Sequence, residues 1–541
     1  MIGLALSGGG YRASLFHLGV LARLADEGLL KEVGAISTVS GGSIVGAFYY
    51  QKLCKLLQRE APLDDNDYRR LVREVIAEFL PFVQKDVRDR VLYRGVVARI
   101  IPAQLIRMLL KRGLARRLNI ALESQLELVM NKLLFASGTF SELLEPPAHP
   151  ANRKPELILN TSILENGQQL FFSTDVASPL WRHNERKHGV TSVDAAAMPI
   201  ARMAAASACV PGLFTPIALS FGDGEAVHGV DGGVLDNLGG HALQLLGQSE
   251  MKLLLSDASK PISTESYAQV NGAESFFRIQ DLFMDAIREL RLASGVETLV
   301  GMRDDIPGID AVARQLTAGL RTDLNAFSEV EAYSLMYAGY CACNRQIAEL
   351  HQPAPAAGAD SGAAAGAGTA GADTGAGAAA GNATDTGVSA GAAAAARTEA
   401  AVGAAAGAST GTGTSTTAGS GASTPAAAPA PDADDWEFGQ IRPYMQQPTA
   451  EYLSLMGSKS KPTPTAGGFS FSAAISLLYL LLYIALFVYI SVERGVLQAL
   501  LYLGVIPLAV AAVAGVILLL RLARRGNGKG SMAELRGHNA A

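Results

Sequence analysis

An α/β sandwich is the fold class predicted for residues 1 to about 350, and two observations predict it. Short apolar runs alternate with stretches of helical apolar spacing, which sets strands against helices. Two of those runs also end in serine- and glycine-rich turns that lead directly into a helical pattern, the local grammar of a strand-to-helix connection. The candidate strands are Ile2–Leu6, Val33–Val39, Glu156–Ser162, Gln169–Ser173 and Lys252–Ser256, with a helical insertion at about 60–135.

The first strand feeds Ser7-Gly8-Gly9-Gly10-Tyr11-Arg12 and the second ends in Ser40-Gly41-Gly42-Ser43. A serine hydroxyl is a poor nucleophile near neutral pH and needs a base and a site for the developing oxyanion. A strand-to-helix turn lifts such a serine clear of the sheet, and the following helix N-terminus offers unpaired N–H groups. The G-x-S-x-G pattern of that turn reads Thr38-Val39-Ser40-Gly41-Gly42, with threonine at its first glycine. Ser43, in Gly41-Gly42-Ser43-Ile44-Val45, is a competing half-match. Ser40 is preferred because it directly follows the β-branched run, whereas Ser43 belongs to the first turn of the helix. Much later, Asp231-Gly232-Gly233 supplies a carboxylate on a turn.

A rival reading of the first turn is nucleotide binding. Gly8-Gly9-Gly10-Tyr11-Arg12-Ala13 fits G-x-G-x-x-A, a fingerprint that wants an acidic residue about twenty positions on, at the end of the next strand. Glu32 has nearly that spacing but precedes the next apolar run, which ends instead in Val39-Ser40-Gly41-Gly42.

Taken in order, Ser7–Arg12, Val39–Ser43 and Asp231–Gly233 resemble the patatin-like phospholipases, as do Phe16-His17-Leu18-Gly19-Val20-Leu21, the stretch from Ala206 to Phe214 and the extended loop Asp231–Gly239. The resemblance spans about the first 240 residues. It implies a three-layer sandwich around a mostly parallel sheet and a lipid acyl hydrolase with no cofactor and no metal. Ser40 is then the nucleophile and Asp231 its sole general base, with Gly8, Gly9 and Gly10 lining the oxyanion hole and Arg12 close by in support. A carboxylate of ordinary pKa, about 3.9, is a weak base for a serine proton, so burial of Asp231 would matter.

The histidines offer little competition. His17 has the spacing of a packed helix face, His183 and His188 lie in a polar stretch that reads as an exposed loop, and His228 alone stands near the aspartate, for a minor Ser-His-Asp reading. Cys54, Cys209, Cys341 and Cys343 lack structural zinc spacing and read as reduced thiols. Asp64, Asp65 and Asp67 read as a solvated loop rather than a calcium site.

A basic stretch at 85–118 carries Arg88, Arg90, Arg94, Arg99, Arg107, Lys111, Arg112, Arg116 and Arg117, interleaved with apolar residues such as Ile100, Ile101 and Leu105. That pattern suits an anionic lipid surface. The net charge of −5 argues against nucleic acid as a partner.

Residues 353–435 are mostly Ala, Gly, Thr and Ser, a composition too poor in core-forming side chains to order itself, and read as a disordered linker. A juxtamembrane segment at 436–470 follows. The runs 471–492 and 495–520 lack charge, and each is long enough to cross about 30 Å of hydrocarbon as a helix. They predict a C-terminal two-helix transmembrane hairpin followed by a polar tail at 521–541. Lys459 and Lys461 precede the hairpin and Arg521, Arg524, Arg525 and Lys529 follow it, so the positive-inside rule puts both flanks and the catalytic domain in the cytoplasm. The Met1–Leu6 run is too short for a signal peptide and reads as strand. The Ala/Gly bias fits a bacterial chain, hence an inner membrane. The expected function is a membrane-anchored phospholipid or lysophospholipid acyl hydrolase; the alternatives are a tethered nucleotide-binding domain and a non-catalytic lipid-binding scaffold.

Overall fold

A computed structural model of the chain describes residues 1–85, 87, 91, 125–221, 226–248, 250–262, 272–293, 298–322, 324–351, 433–457 and 531–539. Its centre is an eight-stranded sheet made of β1 (Ile2–Leu6), β2 (Val33–Val39), β3 (Glu156–Ile163), β4 (Gln169–Ser173), β5 (Ile217–Leu219), β6 (Val227–Asp231), β7 (Lys252–Asp257) and β8 (Thr298–Gly301), in the order β5-β6-β3-β2-β1-β7-β8 with β4 also paired to β3. The pairs β3–β2, β2–β1, β1–β7 and β7–β8 are parallel, while β4, β5 and β6 join antiparallel. The five strands expected from sequence are all present. The three that were not anticipated, β5, β6 and β8, are three to five residues long.

Helices cover both faces, which completes the three layers. Alternate residues along each strand point to opposite faces, so Leu4, Leu6, Leu157, Leu159, Leu170 and Phe172 enter the larger core while Ala5, Ile158 and Phe171 enter the smaller one. Burial on both faces explains why these strands read as continuous apolar runs.

In the larger core, helix α1 (Gly10–Asp26) crosses helix Glu329–Ala342 at backbone contact. A Cβ on Gly19 would lie 1.8 Å from the Met336 carbonyl oxygen, and one on Gly339 would lie 2.0 Å from that of Phe16. Helix α2 (Gly41–Leu57) and helix α3 (Asp65–Val83) pack beside them. Asp64 and Asp67, read from sequence as a solvated loop, instead form the capping box of α3. The acceptor oxygens satisfy helix N–H groups that would otherwise have no partner.

Residues 433–457, assigned by sequence to the linker's end and a juxtamembrane segment, belong to this same core. Ala433, Phe438, Ile441, Met445 and Tyr452 are fully buried, and Trp436 stacks on Phe438. Leu535 of the expected polar tail is buried as well. Among the described residues no helix is long and apolar enough to cross a membrane. The two apolar runs at 471–492 and 495–520, most of the linker and most of the basic stretch at 85–118 lie outside the described residues.

Candidate active site

The site is assembled by β3. Val39, at the end of β2, pairs with Asn160, and Asp231, at the end of β6, pairs with Thr161, the next residue along. Thr161 also pairs with Leu170 of β4, so β2 and β6 share the other edge of β3, end to end. Two residues 191 positions apart in sequence are thereby delivered to adjacent points of one strand: the Ser40 hydroxyl donates to Asp231 Oδ2 at 2.6 Å.

Ser40 occupies a strained turn. Its φ of 51° and ψ of −117° lie where a residue with a Cβ is rarely found, and such strain is characteristic of turns that present a nucleophile. The surroundings enforce it. The Ser40 N–H donates to Ser207 Oγ at 3.0 Å, and Ser207 in turn donates to the Asn160 carbonyl at 2.6 Å. A Cβ on Gly41 would stand 2.0 Å from the Gly10 carbonyl oxygen, and one on Gly42 would stand 2.2 Å from that of Leu6. The second glycine-rich turn is therefore pressed against the first.

Threonine at the first position of the elbow is accommodated from across the interface. Thr38 Oγ1 donates to the Ile158 carbonyl at 3.0 Å, and its Cγ2 fills the space that a Cβ on Gly46 of α2 would need, 2.5 Å away. The glycine missing at position 38 is in effect supplied at position 46. Ser43, the competing candidate, is fully buried and lies 2.7 Å from Ser207 Oγ and 3.0 Å from Thr38 Oγ1, so it braces the turn rather than facing substrate.

Asp231 is buried, 3% exposed, and no cation of the described residues pairs with it. Its Oδ1 accepts the Gly233 N–H at 2.8 Å. Desolvation raises its pKa to about 6, against the lowering pull of the Ser40 and Gly233 hydrogen bonds. The group is thus a stronger base than an ordinary carboxylate while still ionised at neutral pH.

The glycine loop before α1 divides into two parts. The N–H groups of Gly9 and Gly10 have no hydrogen-bond partner among the described residues, and they stand at a helix N-terminus. Gly8 does not fit the role expected of it: its N–H already donates to the Asn237 carbonyl at 3.0 Å. Its contribution is space, because a Cβ there would lie 2.2 Å from Asn237 Oδ1 and 3.1 Å from the Ser40 Cβ. Arg12 lies beneath the same loop, its Nη2 3.4 Å from where a Cβ on Gly9 would stand. Its fully buried guanidinium donates to the carbonyls of Ala258 and Ala318, the latter at 2.8 Å, and fixes the loop from beneath.

His17 secures the other side of that loop. It lies 2.9 Å from the Ser7 carbonyl and 2.8 Å from Ser256 Oγ, and desolvation lowers its pKa to about 4, so it is neutral. A carbonyl can only accept, so Nε2 carries the proton and Nδ1 takes the Ser256 hydroxyl. His228 is excluded from a triad by strand geometry. It stands three residues before Asp231 in β6, an odd separation that points it to the opposite face, and its ring meets Glu165 at 2.6 Å. His183 and His188 lie on helix Pro179–His188 rather than on a loop.

Sequence reasoning did not single out Gly41 or Asn237 for the site. Gly41 is the first residue of α2, and its N–H has no partner among the described residues. Asn237 donates to Ser259 Oγ at 3.1 Å, and its buried Oδ1 has no partner among the described residues. Its signal was present in the Asp231–Gly239 loop, but only the aspartate was assigned a role. The four cysteines are unpaired and buried, and among the described residues no cluster of three or more metal-ligating side chains occurs.

A serine on a strained strand-to-helix turn, a buried carboxylate against its hydroxyl and open N–H groups beside it define an arrangement of the serine hydrolase type. The family model of patatin-like phospholipases matches residues 4–243, and the chain carries a domain of that family over this stretch. That assignment supports, broadly, hydrolysis of lipid acyl esters. No curated protein matches the chain. Among solved structures, VipD from Legionella pneumophila is similar at 16% identity and a TM-score of 0.31, over 64% of this chain and 66% of that one.

Proposed function

We propose that the chain is a membrane-anchored serine lipid acyl hydrolase that cleaves carboxylic esters of phospholipids or lysophospholipids through a Ser40–Asp231 dyad. The 2.6 Å hydrogen bond from Ser40 Oγ to a buried carboxylate with no competing cation carries the reading. The ester carbonyl enters beside Ser40. Its oxygen meets the N–H groups of Gly9, Gly10 and Gly41, which have no partner among the described residues and lie on the two turns that are pressed together. Ser40 Oγ attacks the carbonyl carbon while Asp231 takes its proton, then passes it to the departing alcohol oxygen. Water, deprotonated by the same carboxylate, attacks the acyl-serine, and Asp231 returns that proton to Ser40 Oγ as the fatty acid leaves.

The membrane part of the proposal is supported by the charge-free runs at 471–492 and 495–520 and by their basic flanks, which favour a hydrolase on the cytoplasmic side of a bacterial inner membrane. Tethering there raises the effective concentration of enzyme at its substrate, and the basic stretch at 85–118 adds affinity for anionic head groups. The test is fatty acid release from mixed phospholipid vesicles by the intact protein, Ser40→Ala and Asp231→Asn. Loss of release in both folded variants supports the dyad; equal release from all three overturns it.

A further inference from the structure

Helix Gly272–Ala293 carries a row of apolar side chains on its exposed side. Ile279, Leu282, Phe283 and Leu290 are 50%, 45%, 67% and 72% exposed, and Ala286 and Ala293 are exposed between and beyond them. Spaced three and four residues apart, these six side chains form one apolar stripe about 100° wide, about 21 Å long at a rise of about 1.5 Å per residue. The inner side mixes apolar contacts, Leu292 on the smaller core and Met284 beside Gly233, with ion pairs. Arg288 Nε and Nη2 reach Asp257 Oδ2 at 2.7 and 2.6 Å, and Arg303 bonds Asp285 at 2.7 Å. The buried Arg288–Asp257 pair and the half-buried Arg303–Asp285 pair help hold the helix with this apolar row outward. Single exposed apolar residues need no explanation, but a continuous stripe does.

We propose that this stripe docks on the surface of a phospholipid bilayer, with the helix in the plane of the head-group and acyl boundary, and so holds the ester site against its substrate. The proposal rests on the lipid acyl hydrolase reading above. Two features select a bilayer as the occupant. The inner face of the helix is attached to the candidate active site, since a Cβ on Gly233 would lie 3.0 Å from Met284 Cε and Gly233 binds the carboxylate of Asp231. A lipid surface on the stripe is therefore beside the dyad that cleaves lipid. The same chain also continues beyond Gly457 into the two charge-free apolar runs, which call for the same medium.

The test uses the full-length chain with Ser40→Ala, so that no lipid is consumed, reconstituted in phosphatidylcholine vesicles with and without brominated acyl chains. An environment-sensitive fluorophore is placed at Phe283→Cys, at Leu290→Cys or, as a control, at Val193→Cys, which is 81% exposed on helix Ser192–Ala195; the native cysteines are all buried. Quenching by brominated lipid at 283 and 290, several-fold stronger than at 193, is the expected result. Equal quenching at all three positions overturns the proposal. So does a label at 283 that self-quenches with protein concentration in lipid-free detergent, which would mean that a second copy covers the stripe. In the otherwise native chain, Leu282→Asp with Phe283→Asp is expected to lower vesicle hydrolysis at least tenfold and to leave hydrolysis of a water-soluble short-chain ester within twofold. An equal effect on both substrates overturns docking. Hydrolysis of neither substrate by the native protein defeats the acyl hydrolase reading instead, and the quenching measurement still decides docking.

Discussion

Asp231 and Asp257 occupy equivalent positions in the sheet and do opposite things. Each is the last residue of a strand, β6 or β7, and each is buried. Each also uses Oδ1 to accept the backbone N–H two residues later, at 2.8 Å from Gly233 and at 2.8 Å from Ser259. The difference is at Oδ2. At Asp257 it is gripped by the Arg288 guanidinium; at Asp231 it receives only the Ser40 hydroxyl. A carboxylate held by a buried cation is a structural anchor. Leaving the cation out exposes the other carboxylate to the full cost of desolvation, which raises its proton affinity and suits it to the base role proposed for it. The same turn thus yields a cation-held anchor or a carboxylate of raised proton affinity according to one neighbour.

Asparagine at each position gives the largest separation. Asp231→Asn is expected to lower kcat for ester hydrolysis by about 10²- to 10⁴-fold, the usual worth of a positioned general base, with near-native circular dichroism. Asp257→Asn should retain most activity per folded molecule. Stability should move the other way. Asp231 has its folded pKa raised from 3.8 to about 6, so its contribution is most favourable below the unfolded pKa and is lost as pH rises through about 6. At pH 7 the neutral amide removes that penalty, and Asp231→Asn is expected to stabilise the fold by up to about 3 kcal/mol, the equivalent of about two pH units. Urea unfolding at pH 7 decides it; a destabilised Asp231→Asn would mean that the carboxylate is not strained by burial. In the native enzyme the same pKa predicts that kcat/KM rises about tenfold per pH unit up to a bend near pH 6, a limb that a pH profile with a non-ionising ester would reveal.

At the anchor the expected effect is on stability alone. Arg288→Ala leaves Asp257 buried without its cation, which costs about 3–5 kcal/mol, measured as a fall in the denaturation midpoint. Arg288→Met with Asp257→Leu replaces the pair by apolar volume and should recover most of that loss. If the double variant is no better than the single, the pair contributes more than charge compensation.

Much of this was legible in the sequence, for reasons the structure makes concrete. Strands β1, β2 and β3 are buried on both faces, so their apolar runs carried a strong signal. β5 and β8 are three and four residues long and offered none. Ser40 was identifiable because a β-branched strand runs straight into glycines. Its partnership with Asp231 was reached only by resemblance, because it depends on the register of β3, which brings together residues far apart in sequence. The partners of Gly8 and Arg12 were not legible: a glycine or an arginine near a serine does not reveal whether its N–H groups are already taken by Asn237, Ala258 or Ala318. The buried segment 433–457 was hidden by its position after a low-complexity stretch, although Trp436 and Phe438 were its visible sign.

The smallest expected effect concerns the elbow itself. Thr38 and Gly46 form a matched pair in which a methyl group on the strand occupies the place of a missing Cβ on the helix. Gly46→Ala adds that Cβ and overfills the contact, at a cost of about 1–3 kcal/mol. Thr38→Ser removes the methyl group and keeps the hydroxyl that bonds the Ile158 carbonyl, so alone it should be nearly neutral. Combined, the two changes should restore most of the lost stability, a coupling of roughly 1 kcal/mol or more in a double-mutant cycle, and with it the turnover lost when the turn carrying Ser40 is displaced. Strict additivity would show that the helix yields freely at Gly46. The threonine would then be tolerated because the elbow is loose, and the strain at Ser40 would have to be held by Ser207 and the two glycines at 41 and 42 alone.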